Sequence, residues 1–236
     1  MQKKILIYLS FFFTILLFIN NVPTNIRAIE DKEKTIYLTF DDGPGGKVTE
    51  EVLDTLKKEN VPATFFLIGS QIKGQERLLI RMRDEGHSLG LHSMSHNKAK
   101  LYSSNEAFLK EMLDAKSLIK EVTGVDTNIL RFPFGCNNNS YKLKHELVDL
   151  LHNNNLRIFD WNVDSTDGAN PKADPSTFIN KARSDKDNIV LLMHCGYLNK
   201  NSAKALPEII NHYKNQGYIF KSIEDDTEEE FHYIKK

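Results

Sequence analysis

The stretch TFDDGP at residues 39–44 places two adjacent carboxylates at the end of an apolar, β-prone segment. The Gly-Pro pair that follows forms a turn and stops the strand. Side chains alternate along an extended strand, so Asp41 and Asp42 are expected to point in different directions. One carboxylate can then bind a ligand while its neighbour does other chemistry. DDGP is also ordinary turn chemistry, so the meaning of the pair depends on the rest of the chain.

Apolar runs and helical patterns alternate outward from this stretch. Strands are predicted at residues 36–40, 63–68, 88–91, 128–132, 156–163, 189–193 and 218–223. Helices are predicted at residues 47–59, 76–85, 103–124, 142–151, 175–182 and 205–213. A capping box of Ser103 and Glu106 and a stop at Gly124 bound the third helix. The alternation indicates a parallel α/β fold, either a barrel or an open doubly wound sheet. In both, active residues gather at the carboxyl ends of the strands.

The composition is that of a globular protein with a separate amino terminus. Of 236 residues, 40% are hydrophobic and 27% are charged, and the formal net charge of -1 gives no argument for nucleic-acid binding. Lys3 and Lys4 precede an uncharged apolar run, which is typical of a secretory signal. Residues 1–28 are therefore interpreted as a signal peptide or an uncleaved membrane anchor. We expect one monomeric domain at 32–223, followed by an acidic tail at 224–236 that is solvated surface.

Two histidines follow the third predicted strand. His92 and His96 are four residues apart, which on a helical turn would place them on the same face. With Asp42 they make two imidazoles and one carboxylate, a set that suits Zn²⁺ or a similar divalent ion in a catalytic site. The alternative is that the His-x-x-x-His spacing arose by chance on a polar loop.

Chemically reactive side chains follow the later strands as well. Arg131 can hold a carboxylate by a bidentate contact, or it can be a structural residue in a surface turn. Asp164 is interpreted as a turn residue. His194 follows a strongly apolar strand, where a histidine is often a satisfied core residue. It is, however, the fifth strand end at which a chemically reactive side chain stands, and this favours a catalytic role for His194.

These five segments, in this order, resemble the polysaccharide deacetylases of the NodB-homology type, carbohydrate esterase family 4. The matching motifs are TFDD at 39–42, HSMSH at 92–96, RFPFG at 131–135, DSTDG at 164–168 and LMH at 192–194. The resemblance spans residues 35–223. It implies a distorted (β/α) barrel of about seven strands that removes N-acetyl groups from a sugar polymer. It also implies a divalent metal, Zn²⁺ or else Co²⁺, held by Asp42, His92 and His96.

The resemblance assigns roles to further residues. Asp41 would be the general base, and Arg131 would orient it. The backbone N–H near Phe134 would stabilise the oxyanion. His194 would be the general acid for the leaving amine, and Asp167 would pair with it and tune it. These roles agree with what amide hydrolysis requires, namely an activated water, charge stabilisation and a proton for the amine.

The pocket and its rim show both agreement with the family and departures from it. Leu192 would line the pocket for the acetyl methyl group. Gly168 stands where the family often has Trp, and Trp161 is either a core residue or a partial replacement for that groove wall. Cys195 stands where Asp is common, and Cys136 follows the arginine motif. The two cysteines are expected either to form a disulfide or to be two thiols near the metal.

The resemblance favours an exported N-deacetylase of a cell-wall or extracellular glycan, above all of N-acetylglucosamine in peptidoglycan. Chitin oligomers or an exopolysaccharide are the nearest alternative substrates, and an O-acetyl xylan ester is a more distant one. A catalytically silent glycan-binding protein is the alternative from another class, and the complete set of candidate catalytic residues argues against it. The protein is expected to be secreted, wall-associated or anchored on the outer face of the membrane, with a membrane contact only through residues 1–28.

Overall fold

The computed structural model describes residues 33–139 and 141–231. Strands and helices alternate along them, as the sequence predicts. The strands are β1 (Thr35–Gly43), β2 (Thr64–Leu67), β3 (Ser88–Leu91), β4 (Ile129–Leu130), β5 (Arg157–Ile158), β6 (Val163–Asp164), β7 (Asn188–His194) and β8 (Ile219–Lys221). The helices are α1 (Lys47–Glu59), α2 (Glu76–Asp84), α3 (Lys98–Leu101), α4 (Asn105–Thr123), α5 (His145–Asn153), α6 (Pro175–Lys181) and α7 (Lys200–Asn215).

The predicted signal peptide or anchor at residues 1–28 lies outside the described residues. Within the part of the chain that the structure describes, no helix combines the length and apolarity needed to cross a membrane.

Strand β1 is the centre of a single parallel sheet. The strand order is β5-β4-β3-β2-β1-β7-β6, and β8 also pairs with β1. The amino-terminal part of β1 lies between β7 and β8, and its carboxyl-terminal part lies between β7 and β2. Ile36, Leu38 and Phe40 on one face and Thr39 and Asp41 on the other are all buried, as expected for a parallel sheet with both faces covered. The sheet curls into an incomplete barrel, which confirms the predicted fold class. Its strands all end at the same edge.

The prediction of one strand at residues 156–163 is wrong, because two short strands form there. β5 pairs with β4 and β6 pairs with β7, which are on opposite sides of the curled sheet. The intervening residues cross the gap: the Phe159 N–H donates to the Leu130 carbonyl and the Asn162 N–H donates to the Val190 carbonyl. One straight strand cannot pair with both sides of the gap, so the chain bends between them.

Helix α4 begins one residue later than the predicted capping box. Ser104 is the cap, and its Oγ accepts a hydrogen bond from the Ala107 N–H at 3.1 Å. The Ser103 hydroxyl instead donates to the Lys100 carbonyl at the end of α3. The predicted stop at Gly124 is confirmed, since this residue is left-handed with φ 76°.

The acidic tail is only partly solvated, in contrast to the prediction. Glu224 to Asp226 are exposed, but Glu229 and Glu230 are half-buried against β5 and the residues after it. The Glu229 carboxylate accepts a hydrogen bond from the Ile158 N–H, and the Glu230 carbonyl accepts one from the Asp160 N–H. The edge of the sheet leaves backbone amides that need acceptors, and the tail supplies them.

Candidate active site

Both carboxylates of the TFDDGP stretch lie at the carboxyl end of β1. Asp41 is 3% exposed and continues the strand, where its Cα is in register with that of His194 on β7. Asp42 has a positive φ of 63°, a conformation that Asp adopts more readily than most residues. This break in the strand geometry lets the two neighbours line the same cavity while they contact different groups.

The two histidines of the HSMSH motif come together on a loop, not on a helical turn as predicted from their spacing. Residues 92–97 contain no helix, and Ser93 and His96 have positive φ values of 67° and 53°. These left-handed residues turn the chain back, so that the two imidazole ring centroids are 5.1 Å apart. The prediction that the two histidines come together is confirmed, but the predicted helical turn is wrong.

Asp42, His92 and His96 form a cluster that fits a divalent metal ion. One potential ligand atom from each lies within 4.8 Å of the others. Asp42 Oδ1 is buried without a hydrogen-bond partner, 3.6 Å from His92 Nε2 and 3.4 Å from His96 Nε2. A buried, unpaired carboxylate oxygen that faces two imidazole nitrogens is what a cation site requires.

The protonation states of the histidines also fit metal binding. His92 Nδ1 lies 3.0 Å from the Arg131 carbonyl, to which it can donate, and this bond leaves Nε2 as the ligand atom. Burial and the neighbouring His92 lower the pKa of His96 to about 4. His96 is therefore neutral at pH 7, which is the form that binds a metal.

Arg131 is buried at the centre of the curled sheet and does not lie in a surface turn. Its Nη1 donates to Asp41 Oδ1 at 2.9 Å and to Thr39 Oγ1 at 2.7 Å. Its Nε and Nη2 donate to the carbonyls of Phe159 and Asp160 at 2.8 and 2.6 Å. The contact with Asp41 is thus a single hydrogen bond, not the predicted bidentate pair. The remaining donors hold the segment that crosses from β5 to β6.

The surroundings of Asp41 favour its ionised form. Burial by itself raises the pKa of this carboxyl. The positive charge and hydrogen bond of Arg131, together with His92 and His194, more than offset burial and lower the pKa below its ordinary value.

His194 and Asp167 form a tight pair. The ring Nδ1 of His194 lies 2.7 Å from Asp167 Oδ1, and the backbone N–H of His194 donates to Asp167 Oδ2 at 2.8 Å. Burial lowers the pKa of His194, but the hydrogen bond and charge of Asp167, with Asp41 and Asp42, raise it to about 9. The imidazole is therefore protonated at neutral pH.

A cavity of about 440 Å³ joins these groups. Leu192 is buried in its wall, and Phe134 is 47% exposed at its rim, with its ring 4.7 Å from that of His96. Trp161 also lines the cavity and packs against Gly135. A Cβ atom at Gly168 would lie only 2.4 Å from His194 Cε1, so this glycine makes room for the imidazole ring.

The two cysteines are both buried thiols and are not joined in a disulfide. Cys195 Sγ lies 2.9 Å from the position that a Cβ atom of Gly43 would occupy. Burial raises the pKa of the Cys195 thiol, which makes it a poor nucleophile and a poor metal ligand at neutral pH. Asp164, predicted to be a turn residue, is the last residue of β6 and lines the cavity. Its Oδ1 accepts a hydrogen bond from the Thr166 N–H at 2.7 Å, at the start of the turn that follows the strand.

Sequence reasoning missed three polar residues that support the site. Thr39 contacts Arg131, and the buried Asp160 accepts a hydrogen bond from the Cys136 N–H through Oδ2 at 3.1 Å. Glu111 on α4 is 1% exposed and accepts hydrogen bonds from the Ser95 N–H and hydroxyl, between the two histidines. A charged residue inside the apolar stripe of α4 was the available signal for Glu111. Alternation along β1, which places Thr39 on the face of Asp41, was the signal for Thr39.

Comparisons with known proteins identify the family of the chain. A family model described as Polysaccharide deacetylase matches residues 28–152. The chain is 35% identical to a peptidoglycan-N-acetylglucosamine deacetylase of Bacillus cereus, over 83% of this chain and 71% of the relative. It is also 35% identical to the peptidoglycan-N-acetylmuramic acid deacetylase PdaA of Bacillus subtilis, over 82% of this chain and 72% of the relative.

A solved structure shows the same fold. The crystal structure of the polysaccharide deacetylase Bc1974 from Bacillus cereus superposes with a TM-score of 0.75 at 34% identity, covering 84% of this chain and 96% of that one. The family model, the relatives and this structure all point to the same family. The chain belongs to the polysaccharide deacetylase family.

Proposed function

We propose that this protein hydrolyses the N-acetyl groups of peptidoglycan amino sugars, with a divalent ion held by Asp42, His92 and His96. The observation that carries this proposal is the placement of two opposite proton-transfer groups in one cavity. Asp41 is ionised beside Arg131, and His194 is protonated beside Asp167. A base and an acid that line the same cavity as a metal cluster suit the cleavage of an amide.

The donor set favours Zn²⁺, with Co²⁺ as the second choice, because two imidazoles and a carboxylate leave open positions in the coordination sphere. The bound ion supplies Lewis acidity, which makes water more acidic and polarises the acetyl carbonyl.

Asp41 takes the proton from the attacking water. Its lowered pKa keeps the carboxylate ionised and ready to accept that proton. Arg131 fixes its direction through one oxygen, Oδ1, so that Oδ2 is the atom that faces the water. Oδ2 lies 3.7 Å from His92 Nε2, which places it next to the metal cluster.

The segment after β4 stabilises the oxyanion. The Gly135 N–H donates to the Phe132 carbonyl at 2.9 Å and is therefore committed to the turn. The Phe134 amide, in a residue with φ 67° at the cavity rim, is the donor that we assign to the oxyanion. Leu192 provides an apolar wall for the acetyl methyl group.

His194 gives its proton to the leaving nitrogen. The C–N bond breaks, acetate forms, and the amine remains on the sugar. A pKa near 9 keeps His194 charged at neutral pH, and Asp167 holds the ring through Nδ1, so Nε2 is the nitrogen that donates.

The substrate assignment rests on the relatives. Those compared above are named for N-acetylglucosamine and for N-acetylmuramic acid at equal identity, so the proposal covers both peptidoglycan sugars. N-acetylglucosamine is ranked first because the motif resemblance favours it. Action on the wall places the protein outside the cell, in agreement with a signal peptide or anchor at residues 1–28.

Acetate release tests the proposal. The purified protein is stripped with a chelator and restored with Zn²⁺ or Co²⁺, then given peptidoglycan and N-acetylglucosamine oligomers. Release that needs the metal and disappears in Asp41→Asn supports the mechanism, and mass spectrometry of the digested wall identifies the deacetylated sugar. Stoichiometric bound metal without release from any substrate would instead favour the silent glycan-binding role.

A further inference from the structure

The segment at residues 229–231, here called the tail clamp, returns to the sheet at the gap between β5 and β6. Glu229 Oε1 accepts a hydrogen bond from the Ile158 N–H at 2.5 Å. The Glu230 carbonyl accepts one from the Asp160 N–H, also at 2.5 Å. The tail clamp thus holds two backbone amides at the point where the chain leaves β5 and enters the crossing segment, residues 159–162.

The crossing segment depends on such support because its flanking strands are short. β5 and β6 are two residues long each, and they pair with opposite sides of the gap. The Phe159 and Asn162 amides bond to those two sides. Phe159 is completely buried and belongs to a small apolar cluster with Ile223, just after β8. Contacts with the carboxyl-terminal part of the chain therefore contribute much of what fixes this segment.

One peptide group contacts both the tail clamp and Arg131. It is the group between Phe159 and Asp160, and its N–H donates to the Glu230 carbonyl. Its C=O accepts a hydrogen bond from Arg131 Nε at 2.8 Å, and the Asp160 carbonyl accepts one from Nη2 at 2.6 Å. A peptide group is planar and rigid, so a force on its N–H moves its C=O. The tail clamp and the guanidinium are therefore separated by a single rigid unit.

Arg131 connects this unit to the general base. Its Nη1 donates to Asp41 Oδ1 at 2.9 Å. The guanidinium is completely buried, and its Cζ lies 4.2 Å from the centroid of the Phe66 ring. Because the guanidinium is planar, the bonds of Nε and Nη2 to the crossing segment fix the direction in which Nη1 meets Asp41. A shift of the crossing segment would turn the base away from its productive direction.

The crossing segment also supplies part of the catalytic cavity. Trp161 lines that cavity, and its ring atom Cη2 lies 2.9 Å from the position that a Cβ atom of Gly135 would occupy. The same backbone thus aims Asp41 on one side and carries a wall of the cavity on the other.

We propose that Glu229 and Glu230 are positioning residues for the reaction, which act through the crossing segment on Arg131 and Trp161. The inference rests on the proposed function, since it gives the tail clamp a part in directing the base Asp41. A segment that only covered a sheet edge would contribute to stability alone, whereas the tail clamp also sets kcat.

The first test uses single substitutions in the metal-loaded full chain. Glu229→Ala removes the acceptor of the Ile158 N–H, and we expect kcat per bound metal ion to fall by about 10–10²-fold, as for a slightly misplaced catalytic group. Glu229→Gln keeps an acceptor oxygen and should restore kcat. Glu228→Ala removes the same charge from the neighbouring exposed residue and is the matched control. Counting bound metal restricts the comparison to folded, loaded molecules.

The second test removes the tail clamp and follows the crossing segment directly. A chain that ends at Thr227 lacks the tail clamp, and one that ends at Phe231 retains it. Trp161 is the only tryptophan of the chain, so its fluorescence reports on this segment alone. We expect emission at longer wavelength, and faster quenching by acrylamide, in the shorter chain only. Chelator competition should give one metal affinity for both, since the ligands Asp42, His92 and His96 come from β1 and the loop after β3.

The outcomes separate positioning from stability. Lower unfolding free energy with unchanged kcat and unchanged Trp161 emission, in Glu229→Ala and in the shorter chain, would overturn the inference and leave deacetylation intact. If the shorter chain fails to fold, the Glu229→Ala and Glu229→Gln pair decides. Absence of acetate release from the unaltered protein on every substrate would overturn the deacetylase proposal instead, and Trp161 emission would still decide whether the tail clamp positions the crossing segment.

Discussion

Asp167 holds His194 at two points, because Oδ1 lies 2.7 Å from the ring Nδ1 and Oδ2 accepts the backbone N–H at 2.8 Å. The first contact fixes the tautomer and raises the pKa of the imidazole, and the second fixes the end of β7. Asp167 is completely buried, so solvent screens its charge poorly. Proton donation by His194 thus depends on one carboxylate from the neighbouring strand end.

Asp167→Asn should move the basic limb of the kcat/KM profile to lower pH. Protonated His194 is the active acid, so activity is full below its pKa of about 9 and is lost as pH rises through that value. A bound cation would shift this basic limb to somewhat lower pH in both the unaltered protein and the variant. Removal of the Asp167 charge should lower the pKa by about 1–3 units. Rates measured from pH 5 to 10 check this, and an unshifted limb in the variant would exclude His194 as the titrating acid.

Asp41→Asn should separate chemistry from metal binding. The amide has nearly the shape of the carboxylate but accepts no proton, so kcat should fall by about 10²–10⁴. Metal content, measured by elemental analysis, should stay stoichiometric, because Asp41 is not part of the Asp42, His92 and His96 cluster. Asp54→Asn, at an exposed carboxylate on α1, is the control. Loss of the metal in Asp41→Asn would make Asp41 a ligand and not the base.

His96→Ala should abolish tight metal binding. Loss of a group that only supports a ligand weakens metal affinity by about 10–100-fold, and loss of a direct ligand should cost more. His145→Ala removes an exposed imidazole at the start of α5 and should leave the affinity unchanged. Competition with a coloured chelator measures both affinities. Equal affinities in the two variants would place the metal elsewhere.

Gly168→Ala should impair His194 as the general acid without changing metal binding. The added Cβ would lie 2.4 Å from His194 Cε1. The backbone at Gly168 is not left-handed, so any loss of activity would come from this steric clash and not from backbone strain. Displacement of a catalytic group by about 1 Å can cost about 10²-fold in rate. We expect a loss of kcat near that size with an unchanged metal content. Full activity would show that the imidazole can move away without cost.

Arg131→Ala should destabilise the fold as well as the site. Removal of this buried guanidinium leaves the Asp41 charge unpaired, and breaking a buried pair costs about 3–5 kcal/mol. Thr39→Val removes one neutral partner of the same arginine and should cost only about 1 kcal/mol. Urea unfolding of both variants gives the two free energies. Equal small losses would mean that the Arg131 network contributes little to stability.

Much of this protein could be predicted from local sequence. The apolar runs and their spacing predicted the parallel α/β fold, since burial on both faces requires continuous apolar strands. The residues after each strand identified the candidate site, because parallel strands bring their carboxyl ends to one edge. Both inferences rely on periodicity and chain order, which are properties of neighbouring residues.

Other features depended on contacts between distant parts of the chain. The bend between β5 and β6 follows from the positions of β4 and β7. The Glu229 carboxylate accepts a hydrogen bond from the N–H of Ile158 at the sheet edge, 71 residues earlier in the chain. The loop geometry of His92 and His96 depends on left-handed residues that their spacing did not reveal.

The sequence by itself therefore determined the kind of scaffold and which residues are candidates for the chemistry. Tertiary structure alone decided how they meet: Arg131 contacts one oxygen of Asp41, the two thiols stay unbridged, and Tyr197 is exposed in the turn after β7. The reason is physical. Strand and helix preferences are encoded within a few residues, whereas distances between strand ends depend on the curl and register of the whole sheet.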